Sequence, residues 1–138
     1  MAVDSCRIEF RVRYPEVDRM GVVHHSQYAV YFELGRTELL RAHGVSYREM
    51  EEMGSFFVVA SLEIRYKAPA RYDDVLLLET RTARMTRARI EHDYTLYHKD
   101  SGRLLAEGHT LLACLDGDGK VCPIPDAFFA ALQAEPQL

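Results

Sequence analysis

The sequence predicts an α+β domain in which an antiparallel sheet covers one long helix, and three observations predict it. Near the N-terminus Cys6, Ile8, Phe10 and Val12 alternate with Arg7, Glu9, Arg11 and Arg13, the period of a half-buried strand. From Ser26 the period changes to that of a helix, with Tyr28, Phe32, Gly35, Leu39 and Ala42 on one face. After Gly54 come strand patterns in succession, separated by turn signals.

The chain of 138 residues fits a single domain, 1–138, with no internal repeat or linker. At this length a folded chain buries roughly two-thirds of its unfolded surface, so a core can form without staples. Hydrophobic residues make up 48% and charged ones 28%, ordinary for a soluble protein, and the net charge of −4 argues against nucleic acid as the main partner. Cys6, Cys114 and Cys122 are odd in number and widely spaced, which suggests neither a disulfide framework nor a zinc knuckle. Asp4, Arg7 and Glu9 stand where a signal peptide needs an apolar run, and no apolar run is long enough for a membrane span. A cytoplasmic protein without an integral membrane segment is expected.

Taken in order, the first strand ends at Pro15. The helix expected over 26–43 would be roughly 26 Å long and stops at Gly44, a C-terminal signal. Its opposite side mixes Val30, Leu34 and Leu40 with Glu33, Thr37 and Arg41, so burial on more than one side is expected. Gly35, in the apolar face, should cost roughly 1 kcal/mol against alanine unless the sheet approaches closely there, and it reads as a packing notch. A short helical turn over 47–53 precedes strands over 56–67, 75–83, around 90–96 and over 104–115. Asp100-Ser101-Gly102 and Asp116-Gly117-Asp118-Gly119 are the turns around the last of these. A short helix over 125–132 and a loose C-terminal end complete the reading.

The stretch joining first strand to helix, Tyr14 to Tyr28, carries the chemistry. It holds Asp18, the turn residue Gly21, and His24 and His25 where helical periodicity begins. Free N–H groups at a helix start can polarise a carbonyl while a nearby carboxylate attacks it or activates water, which is chemistry for splitting an ester or thioester. Each residue also has a plainer reading. Asp18 could be a turn residue, Tyr14 a strand-end packing residue, and the histidines a first-turn pair. Metal is disfavoured for them, because adjacent helical residues diverge and no further His or Cys lies at ligand spacing. Ser26 reads as the helix N-cap. Glu33 and Glu38 read as surface partners of Arg36 or Arg41, and His92, His98 and His109 as structural.

The order of elements and the segment Tyr14, Asp18, Gly21, His24, His25, Tyr28 resemble the hotdog-fold acyl-CoA thioesterases, in the YbgC-type branch of the 4-hydroxybenzoyl-CoA thioesterase family. Gly21-Val22-Val23-His24-His25 is close to the G-V-V-Y-H form of that branch, with two histidines where many family members have two asparagines. The segment from Tyr66 to Asp74 is similar to the one between the second and third strands of the same branch. The resemblance implies a hotdog fold, an antiparallel sheet wrapped around one long central helix, and hydrolysis of acyl-CoA to free acid and coenzyme A without a cofactor. It implies Asp18 as nucleophile or general base, the His25 N–H as the donor to the thioester oxygen, and Tyr14 beside the carboxylate. It further implies a homodimer or homotetramer whose sites draw on two chains.

For substrate binding, Gly21 and His24 belong to the same motif, and Phe57 and Val58 form a candidate wall of the acyl pocket. Arg81, Arg84, Arg87 and Arg89 follow one another without an intervening acidic residue, and Arg87 and Arg89 are candidates for the coenzyme A phosphates. Two other functions fit the same fold. One is a hydratase or dehydratase of enoyl thioesters, disfavoured because no histidine is followed by the Phe-Pro pattern of that branch. The other is a non-catalytic acyl-CoA-binding module with Asp18 merely holding its loop.

Overall fold

The computed structural model describes residues 4–133. Strand β1, Ser5–Arg11, exposes Arg7, Glu9 and Arg11 and packs Ile8 and Phe10 on the core, as its alternation requires. A single 3-10 turn at Tyr14–Glu16 takes the chain out of the sheet, since Pro15 has no N–H for a ladder. Helix α1 spans Gln27–Ala42, within a residue of the expected span at either end, and the chain leaves it through Gly44 at φ 82°. Helix α2, Tyr47–Glu52, is capped by the Ser46 hydroxyl, which accepts the Glu49 N–H at 3.2 Å. Then follow β2 (Phe56–Tyr66), β3 (Val75–Met85), β4 (Arg89–His98), β5 (Leu104–Leu115) and α3 (Asp126–Gln133). The expected loose C-terminal end falls on 134–138, outside the described residues.

The five strands make one antiparallel sheet in the order β1-β3-β4-β5-β2. Helix α1 lies on one face of it, against β1, β2, β3 and β4, which is the hotdog arrangement. Tyr28, Tyr31, Phe32 and Leu39 are the buried apolar face of the helix. Burying one such side chain is worth about 1.5–3 kcal/mol, so this face rather than helix propensity holds α1 in place. Phe32 stacks on Tyr94 with centroids 4.4 Å apart and fills the space over Gly108, where a Cβ would strike its ring. Gly35 is the notch its position suggests: a Cβ there would collide with the Thr80 hydroxyl and the Leu78 side chain. On the other side of the helix Leu40 and Arg36 are buried, whereas Val30 and Leu34 are exposed. A second cluster, Met50, Ile90, Cys114, Ile124 and Phe128, fills the space beneath α2 and α3.

Strand β2 changes parity half-way. Its pairing with β5 shifts between Val59 and Ser61, so Ala60 is an extra residue. Phe57 and Val59 therefore share a face with Ile64 and Tyr66, and Val58 points the other way, 39% exposed. β2 is also an edge strand, with Phe56, Val58, Val59, Leu62 and Tyr66 all exposed. No helix among the described residues is long and apolar enough to cross a membrane.

Candidate active site

The loop between β1 and α1 is a tight hairpin rather than a loose connection. Val17 bridges Val23, the Asp18 N–H donates to Val22 O at 2.9 Å, and the Gly21 N–H donates back to Asp18 O at 2.9 Å. Gly21 sits at φ 75°, a conformation glycine adopts without strain, which explains that residue at that place. Asp18 Oδ1 accepts the Met20 N–H at 2.8 Å; Oδ2 has no protein partner among the described residues. Tyr14, Val17, Asp18, Arg19, Gly21 and Tyr72 line an open hollow of ≈ 630 Å³. Tyr14 is 75% exposed there, meets Tyr72 edge-on at 5.5 Å, and makes no hydrogen bond to the carboxylate among the described residues.

The bridge that closes the hairpin places its far arm at the start of α1. His24 and His25 follow Val23, their rings 4.1 Å apart, and both are exposed. His24 Nδ1 accepts the Ser26 N–H at 3.2 Å and lies 2.8 Å from the Ser26 hydroxyl, while the Gln27 N–H donates to His24 O at 2.9 Å. Ser26 is thus not a side-chain cap as its type suggests; it has helical φ and ψ, and the His24 imidazole accepts its N–H just ahead of the first turn. For His25 the carbonyl accepts the Tyr66 hydroxyl at 3.0 Å, and its N–H has no acceptor among the described residues. The peptide that bears this N–H is fixed through His24 O, which accepts the Gln27 N–H, and a fixed free N–H at a helix start is an anion-binding group.

Two supports were not legible from residue type. Glu16 is buried and its carboxylate accepts the Arg13 N–H at 2.9 Å, the Arg13 Nε–H at 3.0 Å and the Tyr31 hydroxyl at 2.9 Å, tying the loop to α1. Burial works to raise its pKa, but these donors prevail and hold the carboxyl below its ordinary value. The signal was Arg13-x-x-Glu16, a reciprocal cap around Pro15. The second support is the segment from Tyr66 to Asp74, which resembled the family without an evident role. Tyr66 holds His25, Ala70 O accepts the Val23 N–H at 2.8 Å, Arg71 bridges Val22, and Asp74 accepts the Arg71 N–H at 2.9 Å.

The remaining candidates lie elsewhere. Phe57 lines a groove of ≈ 230 Å³ with Glu33, Arg36, Thr37, Tyr47, Glu51, Val59 and Leu112. Val58 does not line it, because the parity of β2 gives that place to Val59. Along one strand Phe57 is nine residues from Tyr66, roughly 30 Å at strand rise, so this groove and the helix start lie at opposite ends of β2. Arg87 donates to Asp126 Oδ1 at 2.6 Å and lies 4.4 Å over the Phe129 ring, committed to α3. Arg89 instead shares a hollow of ≈ 260 Å³ with Arg84 and Thr86. Glu33 pairs with Arg36 and Glu38 with Arg41.

Of the strand histidines, His92 is buried, which pushes its ring down to about 4; His98 holds the Ser101 turn; and His109 lies between Asp93 at 2.7 Å and Glu91 at 3.1 Å. Among the described residues no group of three His, Cys, Asp or Glu side chains could hold a metal ion.

Comparison with known proteins gives a consistent set. The family model of the thioesterase-like superfamily matches residues 12–132. The acyl-CoA thioester hydrolase YbgC of Escherichia coli O6:H1 is 34% identical over 106 residues, which cover 77% of this chain and 78% of that one. A putative esterase of Aquifex aeolicus is 33% identical over 123 residues, covering 89% and 94%. Among solved structures, a DHNA-CoA thioesterase from Staphylococcus aureus superposes with TM-score 0.88 at 29% identity, over 92% of this chain and 87% of that one. Hypothetical protein TT1821 from Thermus thermophilus superposes with TM-score 0.86 at 39% identity, over 91% and 95%.

Proposed function

Because the chain belongs to the thioesterase-like superfamily, we propose that it hydrolyses acyl-CoA thioesters to a free acid and coenzyme A, with Asp18 and the His25 N–H as its working pair. The observation that carries this reading is His25, whose N–H has no acceptor among the described residues while the carbonyls on either side are held: its own accepts the Tyr66 hydroxyl, and His24 O, in the peptide that bears the N–H, accepts the Gln27 N–H. A thioester carbonyl is poorly stabilised by resonance, so one oriented donor and one carboxylate suffice. The N–H receives the oxygen as negative charge develops on it, an effect typically worth about 3–4 kcal/mol of barrier. Asp18, whose Oδ2 takes no protein bond among the described residues, adds to the carbonyl carbon or takes a proton from the attacking water. Collapse of the tetrahedral species expels coenzyme A thiolate, leaving the free acid when water attacks, or an acyl–Asp18 anhydride that water then hydrolyses to the acid when the carboxylate attacks. Tyr14 and Gly21 shape the entrance, and His24 orients the first turn.

The rest of the substrate requires a second copy of the chain. An antiparallel pairing of two β2 edges brings the Phe57 end of one strand to the Tyr66 end of the other, and so an acyl groove to a helix start. The exposed Val59, Leu62 and Tyr66 of that edge, with Val30 and Leu34 of α1, supply the apolar surface for it. Arg89 and Arg84 supply charge for the coenzyme A phosphates.

The test is release of free thiol from short-chain, long-chain and aromatic acyl-CoAs by the wild type and by Asp18→Asn. The expected result is turnover by the wild type, reduced about 10³-fold or more in a variant with an unchanged circular-dichroism spectrum. Binding of acyl-CoA by both proteins without thiol release by either would replace hydrolysis by a binding-module function.

A further inference from the structure

Beyond the hairpin that ends β5, two thiols are placed together with no part in the chemistry above. The Sγ atoms of Cys114 and Cys122 lie 3.6 Å apart. They face each other because the chain continues antiparallel after the strand ends: Leu115 bridges Val121, the Cys122 N–H donates to Cys114 O at 2.9 Å, and the Asp116 N–H donates to Lys120 O at 2.8 Å. Cys6, the remaining cysteine, lies on β1 at the other edge of the sheet.

We propose that Cys114 and Cys122 are a site of oxidative modification, at which a peroxide converts the two thiols into an intrachain disulfide. The two residues stand directly opposite each other in an antiparallel arrangement, where partner Cα atoms lie about 4.5–5.5 Å apart, a spacing compatible with a disulfide. The sulfurs must close to about 2.05 Å. The intervening turn can yield, because Gly117 and Gly119 lie in it and Val121 is 61% exposed.

The two cysteines have different environments, and these assign the order of events. Cys122 is partly exposed and meets the oxidant, whereas Cys114 is buried. The Cys122 thiolate attacks one oxygen of the peroxide, the O–O bond breaks, and the departing hydroxide is protonated to water, leaving a sulfenic acid. The Cys114 thiolate then attacks the Cys122 sulfur and displaces hydroxide, which leaves as water with the proton from Cys114. Two thiols lose two electrons, and the peroxide becomes two waters. Burial and the neighbouring Cys122 push the Cys114 thiol up to about 12. Both keep Cys114 from meeting the peroxide first, so it acts second. The bond would tie β5 to the segment carrying Ile124, whose N–H donates to Arg87 O at 2.6 Å and whose side chain lies among Met50, Ile90 and Phe128.

The sequence makes the test direct. Trypsin cuts after Arg103 and after Lys120, so residues 104–120 and 121–138 part unless a disulfide joins them. The full-length reduced protein is exposed to hydrogen peroxide, quenched with a thiol-alkylating reagent and digested without reductant. The expected result is an intact mass lower by about 2 Da before digestion, two thiols lost from the three present, and the two peptides recovered joined. Dithiothreitol should separate them, Cys6→Ser should still form the link, and Cys122→Ser should not. A rise in melting temperature on oxidation, reversed by reductant, is expected from closing the loop. The proposal is overturned if all three thiols remain titratable, if Cys122 proceeds to sulfinic acid while Cys114 stays reduced, or if the link joins different chains.

Discussion

Glu16 shows how one buried carboxylate can hold a loop to a helix. Its donors, Arg13 and Tyr31, prevail over burial and keep its folded-state pKa below the ordinary 4.5. The stability it contributes is therefore complete above about pH 4.5 and is lost as pH falls through the lowered value. Glu16→Gln should cost about 1–3 kcal/mol near neutral pH and flatten the acid side of a plot of urea midpoint against pH; an acid limb as steep as that of the wild type would remove Glu16 from this role. Tyr66 acts at one atom. Tyr66→Phe deletes the donor to His25 O and should lower kcat several-fold, at most about tenfold, with KM within about twofold, because one net hydrogen bond is worth about 0.5–1.5 kcal/mol. Steady-state kinetics on the best substrate decide this, and an unchanged kcat would mean that the helix start orients itself. At this scale the sequence marked Asp18, Gly21 and His25 as candidates, but not the groups they bond to. Ser26 looks like a cap by type, yet its hydroxyl turns to the His24 ring instead of the first-turn N–H groups. Arg87 looks like a free charge, yet Asp126 and Phe129, about forty residues on, claim it.

The elements themselves were legible where one period persisted. Helix α1 repeats a single pattern from end to end, and its limits are close to those read from residue type; β5 also keeps its expected limits, although its alternation slips by one residue at Leu105. β2 changes period at Ala60, so its continuous apolar run 56–59 and its later alternation belong to one strand with a bulge. No local pattern distinguishes that from two fragments; before the bulge Phe57 and Val58, as neighbours in one strand, point to opposite faces, so the groove beside Phe57 is lined by Val59 and not by Val58. Packing between elements gives a contest of magnitudes at Gly35. An alanine there would gain about 1 kcal/mol of helix propensity but would press a methyl group into Thr80 and Leu78, an overpacking that typically costs about 1–3 kcal/mol. Gly35→Ala should therefore lower stability on balance by up to about 2 kcal/mol, read from urea unfolding. A more stable variant would mean that Thr80 and Leu78 move aside at no cost.

For the whole molecule, the decisive feature is which strand ends the sheet. β2 follows α2 in sequence but pairs with β5, the last strand, so its free edge is set by a long-range pairing that strand patterns do not contain. That edge is long and apolar, and natural edges of this kind are usually blunted by charge, bulge or cover. Here a bulge is present but Val59, Leu62 and Tyr66 remain open, 48%, 46% and 51% exposed. Lysine at an exposed position should leave the chain folded, because the position makes little use of the core, while placing an unpaired charge against its own symmetry mate. If the β2 edge is the interface proposed above, the wild type should elute as a dimer or tetramer by size-exclusion chromatography with light scattering, and Leu62→Lys as a monomer. If each active site needs the groove of a second chain, kcat/KM of this monomer should fall at least about 100-fold, more than the loss of one apolar contact explains, and should recover in part as protein concentration rises. A folded monomer with wild-type turnover would mean instead that Asp18, His25 and the acyl group meet within one chain, and the groove at Phe57 would then serve some other ligand.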